Sequence, residues 1–445
     1  MSVGTSPKRR LAVIGLDGVG LDLARHLAGS GIMPNLGRLM EKGAPWRTES
    51  PLPEVSPVCW SSMFSGAGPG VHGVFGFAEP AGGSYSIKPV DSKSVACPRL
   101  WDEVSVAGGR SVVLNVPLTY PASPLNGVMV SGFVTPELAN GVHPRGLLPL
   151  LEDLKYRPEA ELELGREDPA ELARDLGLAL GARLRLFEQM LSEPWDLYVG
   201  VITDSDRVNH FLWPALWEPE HPLHPAAASL YRRMDGFIGK AWSLLEPEVA
   251  EGRAALLIAA DHSFGPIVSE VYLNPWLAAE GFLQFDGGPG SEVILPQTRA
   301  LALDPGRIYL HTAERFPGGG RFSVSEREAL LGRLRDRLRA LRYTRVLRTP
   351  EGGIATSVEA PIQAARLGRE LYHGPAAKYG PDLVATPAPG YSLRAGLGQP
   401  GVFGLSHIKG AHRPTGALAL CLPGPAEPPP TVAGLHGLMR GLLGL

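Results

Sequence analysis

The chain has 445 residues, 44% of them apolar, with 42 basic against 45 acidic side chains and a net charge of −3. This describes a globular protein long enough for one large α/β domain with an insertion, or for two domains. The charge balance excludes the basic surface that nucleic acid or an anionic membrane requires of a partner, and apolar runs recurring along the chain exclude a disordered one.

Three cysteines, Cys59, Cys97 and Cys421, are too few and too widely spaced for a disulfide framework or a thiolate metal motif. The 55 glycines and 43 prolines announce many turns between short elements. After Lys8-Arg9-Arg10 the apolar run stops at Asp17, too soon for a signal peptide. No run reaches transmembrane length, and the expected compartment is the cytoplasm.

In chain order, Leu11 to Leu16 is a continuous apolar run ending in Asp17-Gly18, the pattern of a buried parallel strand with a carboxylate at its C-terminal end. Arg110 to Val116 and Gly416 to Leu422 read as further central strands. Trp195 to Thr203 leads into Asp204 and Asp206, and Ala254 to Ala260 leads into Asp261-His262. Asp168-Pro169 opens a helix with Leu172, Leu176, Leu180, Leu184, Phe187 and Leu191 on one stripe. Other helices are expected near Asp206 and from about Pro225 to Leu245. Such alternation predicts a doubly wound, largely parallel sheet flanked by helices, in which ligands bind beyond the carboxyl ends of the strands. From about Val271 to Tyr379 the pattern loosens. A helix at Leu273 to Phe285, a loop at Asp286 to Gly290 and a helix capped by Ser325 with Glu328 predict an inserted cap region at 271–379, the core being 1–270 and 380–445. Leu435, Leu438, Met439, Leu442 and Leu443 form a final amphipathic helix.

The residues that carry chemistry lie at these strand ends. Ser56-Pro57 reads as a helix start, Ser56 at the cap, which leaves free N–H groups and a positive dipole end beside a hydroxyl. That pattern fits a simple cap as well as an oxyanion site with a reactive serine. Asp206 and His210 stand at i and i+4, on one face of a helix, and can reach a single ion; Asp204 competes for the same role. Asp261-His262 reach one ion together if the chain turns at Ser263 to Pro266. His412 lies in a loop with His407 and Lys409 as rivals. Mixed nitrogen and oxygen donors suit zinc better than magnesium, and two such ions make a clamp for phosphoryl displacement.

The order of segments resembles the type I phosphodiesterase/nucleotide pyrophosphatase family of the alkaline phosphatase superfamily. It is carried by Asp17-Gly18, the Ser56 helix, Ser65 to Phe77, Leu114 to Pro121, Ser205 to Trp213, Ala260 to Gly265 and Gly410 to Gly416. The resemblance implies an alkaline-phosphatase-like fold and a two-zinc phosphohydrolase. Asp206, His210 and His412 would hold one zinc ion; Asp17, Asp261 and His262 would hold the other, with Ser56 beside it as the nucleophile. Cleavage of a small phosphodiester or nucleotide pyrophosphate through a covalent phosphoenzyme is expected; a phosphomonoesterase, or a binding protein on the same scaffold, are the alternatives. Asn115 and Lys409 are expected to contact substrate. Ser56 stands where threonine is common in the family, Ser263 where glycine is common, and Gly76 falls in the segment where nucleotide-specific relatives place an asparagine.

Overall fold

The computed structural model describes residues 9–287, 293–348 and 353–445. Gly288 to Gly290 of the expected loop lie outside them. The described residues gather into two compact units. One holds the chain up to 68, with 90–264 and 408–445; the other holds 69–89 and 265–407, a wider span than the expected cap at 271–379. Among the described residues, no helix is long and apolar enough to cross a membrane.

The first unit is built on an eight-stranded sheet: β1 (Arg10–Leu16), β2 (Trp46–Glu49), β3 (Ser111–Leu114), β4 (Gly127–Val130), β5 (Val142–His143), β6 (Leu197–Ile202), β7 (Ala254–Ala259) and β8 (Thr415–Leu422). They lie in the order β2-β8-β7-β1-β6-β3-β4-β5. The five central strands, β7-β1-β6-β3-β4, are parallel. The outer strands β8, β2 and β5 are antiparallel to their neighbours.

The strand β1 shows why its sequence is an unbroken apolar run. Ala12, Ile14 and Leu16 face one core and Leu11 and Val13 the other, as side chains alternate along a strand covered on both faces. The first core is closed by the Pro169–Leu191, Asp204–Trp217 and His224–Ala250 helices, and the second by the Ser56–Ser65 and Leu435–Leu443 helices. Asp168 caps the first of these as expected, accepting from the N–H groups of Ala170 and Glu171.

Three local expectations change. Ser263 to Pro266 is not a turn but the start of the strand Ser263–Tyr272; the chain bends at Asp261 instead. The helix expected at Leu273 to Phe285 stops at Ala279. The capped helix is Val324–Ala340, with Ser323 and Glu326 forming the capping box two residues before the expected pair. A second serine at the same spacing from a second glutamate made the two registers equivalent by pattern.

The second unit has an antiparallel four-stranded sheet, Ala300–Leu303, Arg307–Leu310, Leu383–Pro387 and Ile362–Leu367 in that order. Leu330, Leu331, Leu334 and Leu338 of the Val324–Ala340 helix belong to its core.

Candidate active site

Because β1, β3, β6 and β7 are parallel neighbours, their carboxyl ends share one edge of the sheet, and Asp17, Asn115, the Thr203–Asp206 segment and Asp261-His262 all emerge there. His412 arrives from the opposite direction, three residues before the antiparallel β8. Ser56 begins a helix whose first nine residues are all buried.

These elements bring six donor side chains into two groups. In the first, His412 Nε2 is 3.1 Å from Asp206 Oδ1 and 3.1 Å from His210 Nε2, and His210 Nε2 is 3.5 Å from Asp206 Oδ2. In the second, His262 Nε2 is 3.3 Å from Asp261 Oδ2 and 3.6 Å from Asp17 Oδ1. Ser56 Oγ is 3.4 Å from both Asp17 Oδ1 and His262 Nε2. The groups adjoin, since the His262 and His412 rings stack with centroids 3.8 Å apart.

The donor set fits metal ions. A tetrahedral ion with bonds of about 2.0–2.1 Å separates its ligand atoms by roughly 3.3 Å, close to the spacings seen. Each histidine directs Nδ1 at a backbone carbonyl: His210 at Gly410, His412 at Glu54 and His262 at Ser263. A carbonyl only accepts, so Nδ1 carries a proton and Nε2 is the atom left to face the site, as in ligating histidines. Asp261 Oδ2 is buried with no hydrogen-bond donor among the described residues, a position that a cation would satisfy.

The electrostatics agree. Burial, then Asp261 and Asp206, pushes the Asp17 carboxyl well up, and burial foremost raises Asp261 to about 7. Burial also lowers His210 to about 4 and His262 well below the ordinary imidazole value. Asp206 is the exception: burial would raise it, but His210, Arg207 and His412 together hold it well below the usual carboxylate range. Burial works against charge on His412 too, yet its bond to Asp206 leaves its pKa raised. Groups pushed toward neutrality beside groups held ionised mark a site short of positive charge.

Residues 11–413 match the sequence family described as type I phosphodiesterase / nucleotide pyrophosphatase. The chain belongs to that family. It is a phosphoric ester hydrolase of the phosphodiesterase/pyrophosphatase type. None of the curated proteins searched matches it. Among solved structures it is similar to phosphonoacetate hydrolase from Sinorhizobium meliloti 1021 in complex with phosphonoformate, at 15% identity and a TM-score of 0.64 over 98% of this chain and 96% of that one. It is also similar to murine ectonucleotide pyrophosphatase / phosphodiesterase 5, an inactive variant in complex with AMP, at 14% identity and a TM-score of 0.55 over 98% and 96%. The human form of the latter gives 12% identity and 0.53, over 98% and 95%. These likenesses show the fold, which is the alkaline-phosphatase-like architecture expected.

Other residues expected at the family's site are placed differently. Ser56 is the first helical residue rather than the cap; Val55 is the cap, and the Ser56 side chain bonds no backbone N–H of its helix. Its hydroxyl faces Asp17 and His262 instead. Asn115 is fully buried, its amide donating to Val201 O at 2.8 Å and Thr203 Oγ1 at 3.1 Å and accepting from Tyr156 Oη at 3.3 Å. That side chain is spent on tying β3 to the end of β6. Asp204 is taken by a buried pair with Arg183, which removes it as a rival to Asp206. Lys409 is exposed, and its backbone N–H donates to His210 O at 2.6 Å.

Sequence reasoning missed Trp60, whose Nε1–H donates to Asp17 Oδ2 at 3.0 Å. The signal was present, for Trp60 is four residues after Ser56 on one helix face. Adjacent residues leave a helix in different directions, which by position alone would turn Arg207 away from Asp206. Its long side chain instead folds back, with Nη1 2.6 Å from Asp206 Oδ2, while Nε and Nη2 hold Glu159 at 3.1 and 2.7 Å.

Proposed function

We propose that this hydrolase cleaves phosphodiesters of small molecules with Ser56 as nucleophile and two zinc ions as cofactor, in the cytoplasm. The observation that carries the reading is the Ser56 hydroxyl at a helix start, 3.4 Å from two donors of one prospective metal group and adjoining a second. Asp206, His210 and His412 would hold one ion, and Asp17, Asp261 and His262 the other. Bound there, zinc supplies Lewis acidity toward phosphoryl oxygens and lowers the pKa of an oxygen it holds. Ser56 Oγ attacks phosphorus in line as the opposite ester P–O bond breaks. The serine proton leaves with the departing alcohol by way of solvent, and water then hydrolyses the phosphorylated Ser56, returning its hydroxyl and releasing the remaining monoester. Pro57 has no N–H, and the Val58 and Cys59 N–H groups donate to Val55 O, which leaves the Ser56 N–H for a non-bridging oxygen. Trp60 and the Gly18 N–H, which is 3.2 Å from Asp261 Oδ1, fix the two carboxylates. The three Nδ1 contacts fix the imidazoles. The three thiols are free, which suits a reducing compartment.

A diester carries one negative charge, where a monoester carries two near neutral pH. Both arginines beside prospective ligands interact with carboxylates, Arg207 with Glu159 and Asp206, and Arg413 with Glu54. Neither adds a net positive charge, so the site favours the monoanion. The test compares bis-p-nitrophenyl phosphate with p-nitrophenyl phosphate on the zinc-loaded protein. The expected result is a higher kcat/KM for the diester; a clear preference for the monoester would refute the substrate assignment.

A further inference from the structure

We propose that Glu159 is a specificity-determining residue that sets the charge of the ester accepted, by neutralising Arg207; this rests on the functional reading above. Arg207 has only 11% of its side chain exposed and lies 4.6 Å over the Phe133 ring. All three of its guanidinium nitrogens are engaged, two by the Glu159 carboxylate and one by Asp206 Oδ2. Held by this fork, the guanidinium cannot swing onto a substrate phosphate. Its charge nevertheless lies in hydrogen-bond contact with a prospective ligand, so it would act on a bound anion through weakly screened surroundings. Glu159, itself mostly buried at 23% exposure, cancels that charge. Asp206 then contributes its full negative charge to the site, and a second phosphate charge is disfavoured. Glu159 lies 48 residues before Arg207 in a stretch with no motif, and the fold alone brings them together.

Glu159→Gln keeps the shape and one acceptor oxygen but frees one positive charge. The expected result is a kcat/KM ratio, diester over monoester, about tenfold lower than wild type, mainly through KM for the monoester. Calorimetry adds a readout independent of turnover: inorganic phosphate, largely dianionic at pH 8, should bind the variant about tenfold more tightly. Arg207→Gln removes the cation and should move both quantities the opposite way, a reversal that a merely structural role would not produce. Zinc content and Tm are measured on each variant, and if Glu159→Gln does not fold, Arg207→Gln decides alone. Ratios and phosphate affinities within twofold of wild type in the folded variants would overturn the proposal. A zinc-loaded wild-type protein that hydrolyses neither ester would instead sink the underlying reading, and the proposal with it.

Discussion

Nε2 of His210 and Nε2 of His412 face each other at 3.1 Å. Each ring donates its Nδ1 proton to a backbone carbonyl, and the raised pKa of His412 places a proton on its Nε2, toward Asp206 Oδ1. A cation in place of that proton, with Asp206 beside it, would take both Nε2 atoms as ligands. The rings are held for an ion by the backbone of residues 54 and 410 and not by one another.

The first prediction is metal content. The protein purified in zinc-containing medium should hold about two zinc ions per chain, lose activity on chelation and regain it with zinc. Elemental analysis checks this, and full activity with no transition metal bound would contradict it.

Ser56→Ala should keep the fold and both ions, because the hydroxyl makes only two long contacts. Turnover should fall by at least about a thousandfold, the ordinary scale for losing a nucleophile. Single-turnover assays on the wild type should trap label on Ser56, and mass spectrometry would locate it.

Zinc binding should strengthen as pH rises toward and through about 7. The sign follows from the metal-free site. His210 at about 4 and the further lowered His262 are already neutral at pH 6 and release no proton. Asp261 at about 7, the raised Asp17 and His412, whose pKa is raised by Asp206, hold protons there that the ion must displace. Below pH 7 each displaced proton weakens apparent affinity by about tenfold per pH unit. Calorimetry in buffers of different ionisation enthalpy counts those protons; a flat affinity between pH 5.5 and 7 would show that none of the three groups is protonated.

Asn115→Ala should act on stability rather than on substrate affinity. The side chain makes three buried hydrogen bonds, and its φ of 57° is left-handed backbone that asparagine tolerates better than alanine. A loss of about 2–4 kcal/mol is expected in urea denaturation, with KM unchanged in the folded protein. A raised KM without destabilisation would restore Asn115 to the substrate.

By itself the sequence determined what repeats locally or depends on short spacing. The apolar runs of β1, β6 and β7 end in acidic residues because a strand buried on both faces must be apolar until it emerges. Asp206 and His210 share a helix face because of the 3.6-residue period. The family's segments, in order, name all six prospective ligands and Ser56. Only the tertiary structure decided how side chains far apart in sequence are used. Asn115 became a tie between β3 and β6, Asp204 a partner of Arg183, and Arg207 folded back on Asp206 under the hold of Glu159. No local pattern encodes these roles. A buried polar group must find a partner wherever the packed chain supplies one, and that partner is fixed by the fold and not by its distance along the sequence.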